Sequence, residues 1–176
     1  MKSLIVAASA VAMAAVAAPA FAQGAAPQVT GYANLGYSLV DTQGAPNLSA
    51  VQGRLGARIA QYFGVEGEAG FGVGSKRLSG VDVKVKSTVA AYAVGFLPVQ
   101  PNFDVFARVG YGHSNAQTRF AGVTTKVGED SVNYGAGGQY FFTANDGIRA
   151  DYTREEFRNG PEHANVWALS YVRKFP

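Results

Sequence analysis

Val166-Trp-Ala-Leu-Ser-Tyr-Val-Arg-Lys-Phe175, within the last fourteen residues of the chain, is the run whose reading decides the fold. Successive side chains of a strand point to opposite faces. Trp167, Leu169, Tyr171 and Phe175 therefore share one large apolar face, while Val166, Ala168, Ser170 and Val172 share a smaller, mixed one. A strand this apolar left as a sheet edge would template pairing with other chains. Its natural cover is the first strand of the same chain, which closes the sheet into a barrel.

The same period of two runs through the sequence from Gln23 onward, and no helical stripe of useful length interrupts it. Eight strands are predicted. The first, about 28–40, sets Val29, Ala33, Leu35, Tyr37 and Leu39 against Thr30, Tyr32, Asn34 and Ser38. The second, about 49–61, sets Val51, Leu55, Ala57 and Ile59 against Gln52, Arg54 and Arg58. In the third, about 65–74, Val65, Ala69, Phe71 and Val73 alternate with Glu66 and Glu68. Counting back across Tyr62-Phe63-Gly64 sets Arg58 opposite Glu66 or Glu68, so two arginines and two glutamates form a cross-strand ion-pair ladder.

The fourth strand, about 83–97, is apolar on both faces. Thr88, Ala90, Tyr92, Val94 and Phe96 are taken as its apolar face over Val89, Ala91 and Ala93. Leu97-Pro-Val-Gln-Pro101 ends it, because proline cannot donate to a ladder. The fifth, about 103–113, places Phe103, Val105, Ala107, Val109 and Tyr111 against Asp104, Phe106 and Arg108, and Ser114 to Thr124 reads as a polar loop. The sixth, about 127–142, sets Val132, Tyr134, Ala136, Tyr140 and Phe142 against Asn133 and Gln139. The seventh, about 148–157, sets Ile148, Ala150 and Tyr152 against Arg149, Asp151 and Glu155. Short connections (62–64, 97–102, 143–147) alternate with longer polar ones (41–48, 75–82, 114–126, 158–163), the pattern of an up-and-down barrel.

Composition says where such a barrel sits. Residues 1–22 carry one Lys, an alanine-rich apolar run and Ala20-Phe21-Ala22 as a small-x-small cleavage site, which reads as a secretory signal peptide. The mature chain is then 23–176, one domain by size. Absence of Cys in an exported chain excludes a disulfide scaffold and a thiolate metal site. The formal net charge is only +3, lower by one without Lys2, which argues against a nucleic-acid partner. Charged residues make up 15% of the chain, below the roughly 25% of soluble domains. No run after residue 22 is long and apolar enough for a spanning helix.

Alternation alone does not say which face is inside, and a lipocalin-like soluble barrel would turn the same apolar residues inward. Three observations favour lipid on the outside. Tyr37, Phe63, Phe96, Phe103, Tyr140, Phe142 and Phe175 lie near strand ends, as interfacial aromatic girdles require. The polar faces carry mixed, mutually pairable charges with few lysines, and the chain ends in an aromatic strand. Arg54, Arg58, Arg108 and Arg149 are therefore assigned to the interior with Glu66, Glu68, Asp104, Asp151 and Glu155. Nearly cancelling charges are what a polar plug needs, because an unpaired buried charge is expensive.

The chain resembles the small eight-stranded outer-membrane barrels of the opacity-protein, OmpA-like and OmpX-like porin family over its whole mature length. The residues that carry the resemblance are the signal peptide, Val105-Phe-Ala-Arg-Val-Gly-Tyr-Gly112, Val132-Asn-Tyr-Gly-Ala-Gly-Gly138 and Tyr171-Val-Arg-Lys-Phe175. The resemblance implies an all-β, eight-stranded antiparallel transmembrane barrel in the outer membrane of a Gram-negative bacterium. It also implies an assembly signal at Tyr171 and Phe175 read by the barrel-assembly machinery. Members usually carry an aromatic where Arg173 stands and end on the Phe that Pro176 follows here.

Candidate chemistry is sparse. Gly112-His113-Ser114-Asn115 is similar to the His-x-Ser-Asn run of lipid A deacylases, but adjacent His113 and Ser114 point to opposite faces and cannot share a proton. His163 beside Glu162 lacks metal-ligand spacing, and no helix follows Gly70-x-Gly72-x-Gly74, so neither a metal nor a phosphate loop is expected. Lys76, Arg77, Lys84 and Lys86 form a basic group at the outer end of strands three and four, placed to meet lipopolysaccharide phosphates or a host polyanion. The expectation is a monomeric, cofactor-free, non-enzymatic barrel with a structural or surface role among outer-membrane lipids and lipopolysaccharide. A narrow channel for ions or small solutes is the alternative reading, and a lipid A-modifying enzyme a third.

Overall fold

Alternating segments with one apolar face bury that face only by pairing side by side, and in the computed structural model they pair all the way round. The structure describes residues 29–42, 48–73, 76–78, 81–120, 123–158 and 163–175, with backbone alone for 42, 76–78, 81–86, 116–120 and 123–127. The predicted signal peptide lies outside the described residues. The strands are β1 (Thr30–Thr42), β2 (Leu48–Ala60), β3 (Phe63–Gly72), β4 (Lys76–Leu78), β5 (Val81–Gln100), β6 (Phe103–Phe120), β7 (Val123–Phe141), β8 (Asp146–Phe157) and β9 (His163–Phe175). Their order is β3-β2-β1-β9-β8-β7-β6-β5-β4, and β3 also pairs with β5, so the ring closes. β4 is a short arm on the far end of β5, pairing with Val81–Val83, and β3 and β4 together take one place in an eight-stranded wall.

The last strand meets the first as the sequence required. β9 runs antiparallel to β1 from Gly31 opposite Phe175 to Thr42 opposite Ala164, with Leu39 facing Trp167 and Tyr37 facing Leu169. Among the described residues, closure pairs each long strand of the wall on both sides, which a span in hydrocarbon demands.

The distribution of side chains settles the sidedness. Leu35, Leu55, Phe63, Phe71, Leu97, Trp167 and Leu169 are each 60–72% exposed on the outer wall, whereas Arg54 and Arg149 are 2% and 0% exposed in the lumen. Greasy outside and charged inside is the inverse of a water-soluble barrel and suits a wall facing acyl chains. The lumen also holds an apolar group built from Tyr32, Tyr92, Val94, Phe96, Phe106, Phe141 and Val172. Bulky inward rings fit where the neighbouring strand offers glycine. A Cβ on Gly56 would lie 2.6 Å from the Tyr32 hydroxyl, and one on Gly137 2.6 Å from Phe106 Cζ.

Three expectations are corrected. On the predicted fourth strand the register is the reverse of the one chosen: Tyr92, Val94 and Phe96 are buried in the lumen, while Val89, Leu97 and Val99 face outward. Both faces of that segment are apolar, so period two could not choose between them. Phe96 consequently belongs to no girdle. The same strand does not stop at Leu97 but continues through Pro98, opposite Asp104, with an irregular register between Pro98 and Gln100. An irregularity of this kind accommodates a residue without an N–H. Finally, Ser114 to Thr124 is no loop: β6 and β7 stay paired out to Phe120 opposite Val123. Beyond the bilayer both faces meet water, so the apolar alternation that marks a strand has no reason to persist there.

Leu55→Arg, on the outermost part of the lipid wall, is expected to cost about 2–4 kcal/mol in urea unfolding from lipid vesicles, the depth-dependent penalty for a cation in hydrocarbon. A cost below about 0.5 kcal/mol would place that face in water.

Candidate functional site: the lumenal ion-pair network

Alternation on β2, β3, β6 and β8 turns Arg54, Glu66, Glu68, Arg108, Arg149 and Asp151 toward the axis, and the narrow barrel brings them into contact across it. Arg54 donates through Nε to Glu68 at 2.5 Å and through its two terminal nitrogens to both oxygens of Asp151 at 2.7 and 3.0 Å. Arg108 donates to Glu68 at 3.1 Å, to Asp151 at 3.0 Å and through Nε to Thr153 at 3.1 Å. Arg149 grips Glu66 through two nitrogens at 2.5 and 3.1 Å, and Tyr32 donates its hydroxyl to the same carboxylate at 2.8 Å. Three guanidiniums and three carboxylates thus compensate one another in a buried region, where planar forks meeting carboxylates are the favourable geometry.

The cations also rest on aromatic faces. Arg149 Cζ sits 3.8 Å from the centre of the Phe106 ring, Arg108 Cζ 4.4 Å from Tyr92, and Arg58 Cζ 4.6 Å from Phe96. Lys174 Nζ lies 3.4 Å from the Phe141 ring. A ring quadrupole attracts a desolvated cation by roughly 2 kcal/mol or more. Tyr92 and Phe96 serve this way only because β5 turns them inward, and that explains the register reported above.

Arg58 is not where the sequence reading placed it. The β2–β3 register sets Arg54 opposite Glu68 and Arg58 opposite Gly64. Arg58 instead donates to Asp104 at 3.0 Å and to the Gln61 carbonyl, and Asp104 also accepts from Gln139 at 2.9 Å. This smaller cluster closes the end of the barrel that carries the short turns. Glu155 is buried in the lumen but forms no ion pair among the described residues. Its place is toward the opposite end, between Asn133 on β7 and Ala164 on β9.

Sequence reasoning missed Lys174, Thr153 and the inward aromatics as partners. Lys174 shares the parity of Val172 and Ser170, so the alternation already pointed it inward. Which carboxylate each arginine chooses was not available, because Arg54 and Asp151 lie 97 residues apart and Arg149 and Glu66 83 apart.

The remaining candidates separate as follows. His113 Nδ1 lies 2.7 Å from Asp130 Oδ1 on the outer surface. Ser114 is on the other face with its hydroxyl 3.3 Å from Thr88 Oγ1, so the two adjacent residues do not meet. His163 stands opposite Glu156 on β8, while Glu162 lies outside the described residues. Lys76 and Arg77 fall on β4 and Lys84 and Lys86 on the distal part of β5, all with side chains outside the described set. Tyr171 and Phe175 face outward on β9, and Tyr171 donates to Asp146.

The family model described as the outer membrane protein beta-barrel domain matches residues 8–175. The chain belongs to this outer-membrane β-barrel family. Its place is the bacterial outer membrane. No curated protein matches it. Among solved structures, it is similar to Ail, the attachment invasion locus protein of Yersinia pestis, at 19% identity over 83% of this chain and 98% of that one, with a TM-score of 0.64. Ail has also been solved in complex with the heparin analogue sucrose octasulfate. Neisserial surface protein A aligns at 14% identity over 84% and 97%, with a TM-score of 0.68. The N-terminal barrel domain of Pseudomonas aeruginosa OprF aligns at 14% over 83% and 98%, with a TM-score of 0.60. Likenesses at these identities show the shared eight-stranded barrel and nothing finer.

Arg54→Met is expected to destabilise the barrel by about 3–5 kcal/mol, because Glu68 and Asp151 lose a shared cation in a buried site. Adding Asp151→Leu should recover part of that loss, a coupling of about 0.5–3 kcal/mol in a double-mutant cycle of urea unfolding. Strict additivity would mean that the two side chains act independently.

Proposed function

We propose that this protein is a plugged, non-enzymatic barrel whose work is structural and surface-interactive, with its distal loops meeting anionic surfaces. The observation that carries the reading is the lumenal network. Arg54, Arg108 and Arg149 are each held by carboxylates supplied from different strands, and together they span the axis. An ion path needs charges that exchange partners with the permeant ion, whereas these are committed to one another. The basic residues Lys76, Arg77, Lys84 and Lys86 supply the surface chemistry, each contributing about 1 kcal/mol near an anionic headgroup layer. Lipopolysaccharide phosphates and sulfated glycans share that chemistry. Tyr171 and Phe175 on the outward face of the last strand serve as the assembly signal for the barrel-assembly machinery, and the mature chain works as a monomer.

A narrow channel is the second reading. It is favoured by lumenal polar atoms that lack a partner among the described residues, Asn34 Oδ1 and Nδ2, Gln52 Nε2 and Ser170 Oγ among them, since such atoms call for water.

Planar-bilayer conductance decides between the two. The wild type should give no steady openings, and Arg54→Ala with Arg108→Ala should create them; steady wild-type conductance would discard the plug. Replacing Lys76, Arg77, Lys84 and Lys86 by Gln should weaken binding to immobilised heparin or to lipopolysaccharide-containing vesicles at least about tenfold and flatten the salt dependence. Unchanged binding would remove the surface role from these four residues.

A further inference from the structure

The lipid-facing wall is not evenly filled. A hollow of about 540 Å³ crosses it between Tyr37 and Leu39 of β1 and Ala136 of β7, with Trp167, Leu169 and Ala150 along its course. Strand register explains the shape. One row of outward positions reads Tyr37, Leu169, Ala150, Gly138, each residue opposite the one before it. The next row, toward the distal end, reads Leu39, Trp167, Tyr152, Ala136. Both rows fall from large side chains on β1 and β9 to small ones on β7. The row nearer the short turns, Leu35, Tyr171, Ile148 and Tyr140, is bulky throughout and bounds the hollow on that side. Toward β6, Phe103 covers Gly138, where a Cβ would come within 3.2 Å of its ring.

The same register fixes the depth of the hollow in the membrane. On β9 the apolar run Tyr171, Leu169, Trp167 lies between Arg173, which pairs with Asp146 at 3.3 Å, and Asn165, which accepts from Tyr152 at 2.7 Å. The hollow is at Leu169 and Trp167, nearer Asn165 than Arg173 and remote from the short turns, so it belongs to the outer leaflet. Its upper rim is the row Asn165, Arg154, Tyr134. Arg154 and Tyr134 both donate to Glu156, at 3.2 and 2.8 Å. A guanidinium, a carboxylate, an amide and a phenol therefore stand side by side directly above an apolar hollow.

A hollow in a wall immersed in hydrocarbon does not stay empty, because its lining would forfeit the dispersion contacts that an entering chain supplies. Acyl tails are as apolar as the wall, however, so apolar area alone selects no particular lipid. Selection has to come from the rim, where groups of both signs meet the headgroup. The Arg154 fork suits a phosphate, and the hydroxyls of a sugar suit Asn165, Tyr134 and Glu156. The outer-leaflet lipid that is acylated, phosphorylated and built on a sugar is lipopolysaccharide. We propose that the hollow seats one acyl chain of a single lipopolysaccharide molecule, whose sugar headgroup rests on Arg154, Asn165, Tyr134 and Glu156. The site is continuous with the lipid-facing wall. It rests on the outer-membrane placement and not on the basic distal residues of β4 and β5.

Trp167, the single tryptophan of the chain, lines the hollow and reports on its occupant. The folded mature chain is reconstituted in vesicles of brominated phosphatidylcholine, whose chains quench Trp167. Unbrominated lipopolysaccharide should relieve the quenching saturably, with half the effect at a mole fraction at least about tenfold lower than phosphatidylglycerol needs. Ala150→Phe, which fills the hollow, should reduce the relief to that of simple dilution; Ala136→Leu serves in its place where Ala150→Phe fails to fold. Arg154→Gln should raise the half-point severalfold. Ala69→Phe, on β3 across the barrel, should leave the relief intact. The mobility of the unheated band shows which variants are folded. Relief that only follows dilution would overturn the proposal, as would equal relief by phosphatidylglycerol, which would make the occupant an anionic phospholipid. Full relief retained in the filled hollow, or an unchanged half-point in Arg154→Gln, would overturn it as well. Replacing Lys76, Arg77, Lys84 and Lys86 by Gln should leave the relief as it is; its loss there would assign the lipid to those residues instead.

Discussion

An eight-stranded barrel leaves no room along its axis for charges that keep their own water. Every inward guanidinium must therefore find a carboxylate across the lumen, and this constraint organises the rest of the molecule. Arg54, Arg108 and Arg149 meet it with Glu66, Glu68 and Asp151, drawn from four strands of which only β2 and β3 are consecutive in sequence. Replacing such an ion network by hydrocarbon is often neutral or stabilising, so the network is poor evidence for stability as such. What it provides here is a fixed arrangement, because each carboxylate has one geometry that satisfies its partners and few alternatives.

The pairing of charges is supported by a second interaction of another kind. Aromatic side chains occupy the lumen beside the cations, and each of four lumenal cations lies over a ring face. Their faces supply negative potential without adding formal charge, which keeps the network balanced. Rings of this size fit only because glycines stand on the neighbouring strands, so composition, packing and electrostatics are linked through the same few positions. Tyr32 shows the connection most directly: it lies over the empty side of Gly56, packs edge-on against Phe96 with ring centres 6.1 Å apart, and donates to Glu66.

The outer wall obeys the opposite rule. Among the described residues its apolar belt carries no charge, and its polar groups begin where Tyr152 donates to Asn165 and Tyr134 to Glu156 toward the distal end. Tyr152 and Trp167 pack with tilted rings, their centres 4.7 Å apart, at that boundary, where amphipathic rings at a lipid–water interface collect. The wall therefore fixes depth in the membrane while the lumen fixes internal order, and the two are separated strand by strand by the alternation of side chains.

That alternation was legible in the sequence. Wherever one face is apolar and the other polar, as from Leu35 to Leu39, from Arg54 to Arg58 and from Arg149 to Glu155, strand and sidedness followed from residue types, because lipid and water reward opposite faces; the cross-strand partner did not, since Arg58 stands opposite Gly64. It failed where the two faces read alike. On β5 both are apolar, and the inward choice of Tyr92 and Phe96 depends on Arg108 and Arg58, which belong to other strands. On the distal arms of β6 and β7 both faces are polar, and backbone pairing alone carries the strands outward. The partners within the lumen were likewise a matter for the tertiary structure: Arg58 with Asp104, Arg54 with Asp151, and Glu155 with neither. The tilt and stagger of a closed sheet set which inward residues reach one another, and no local pattern encodes those distances.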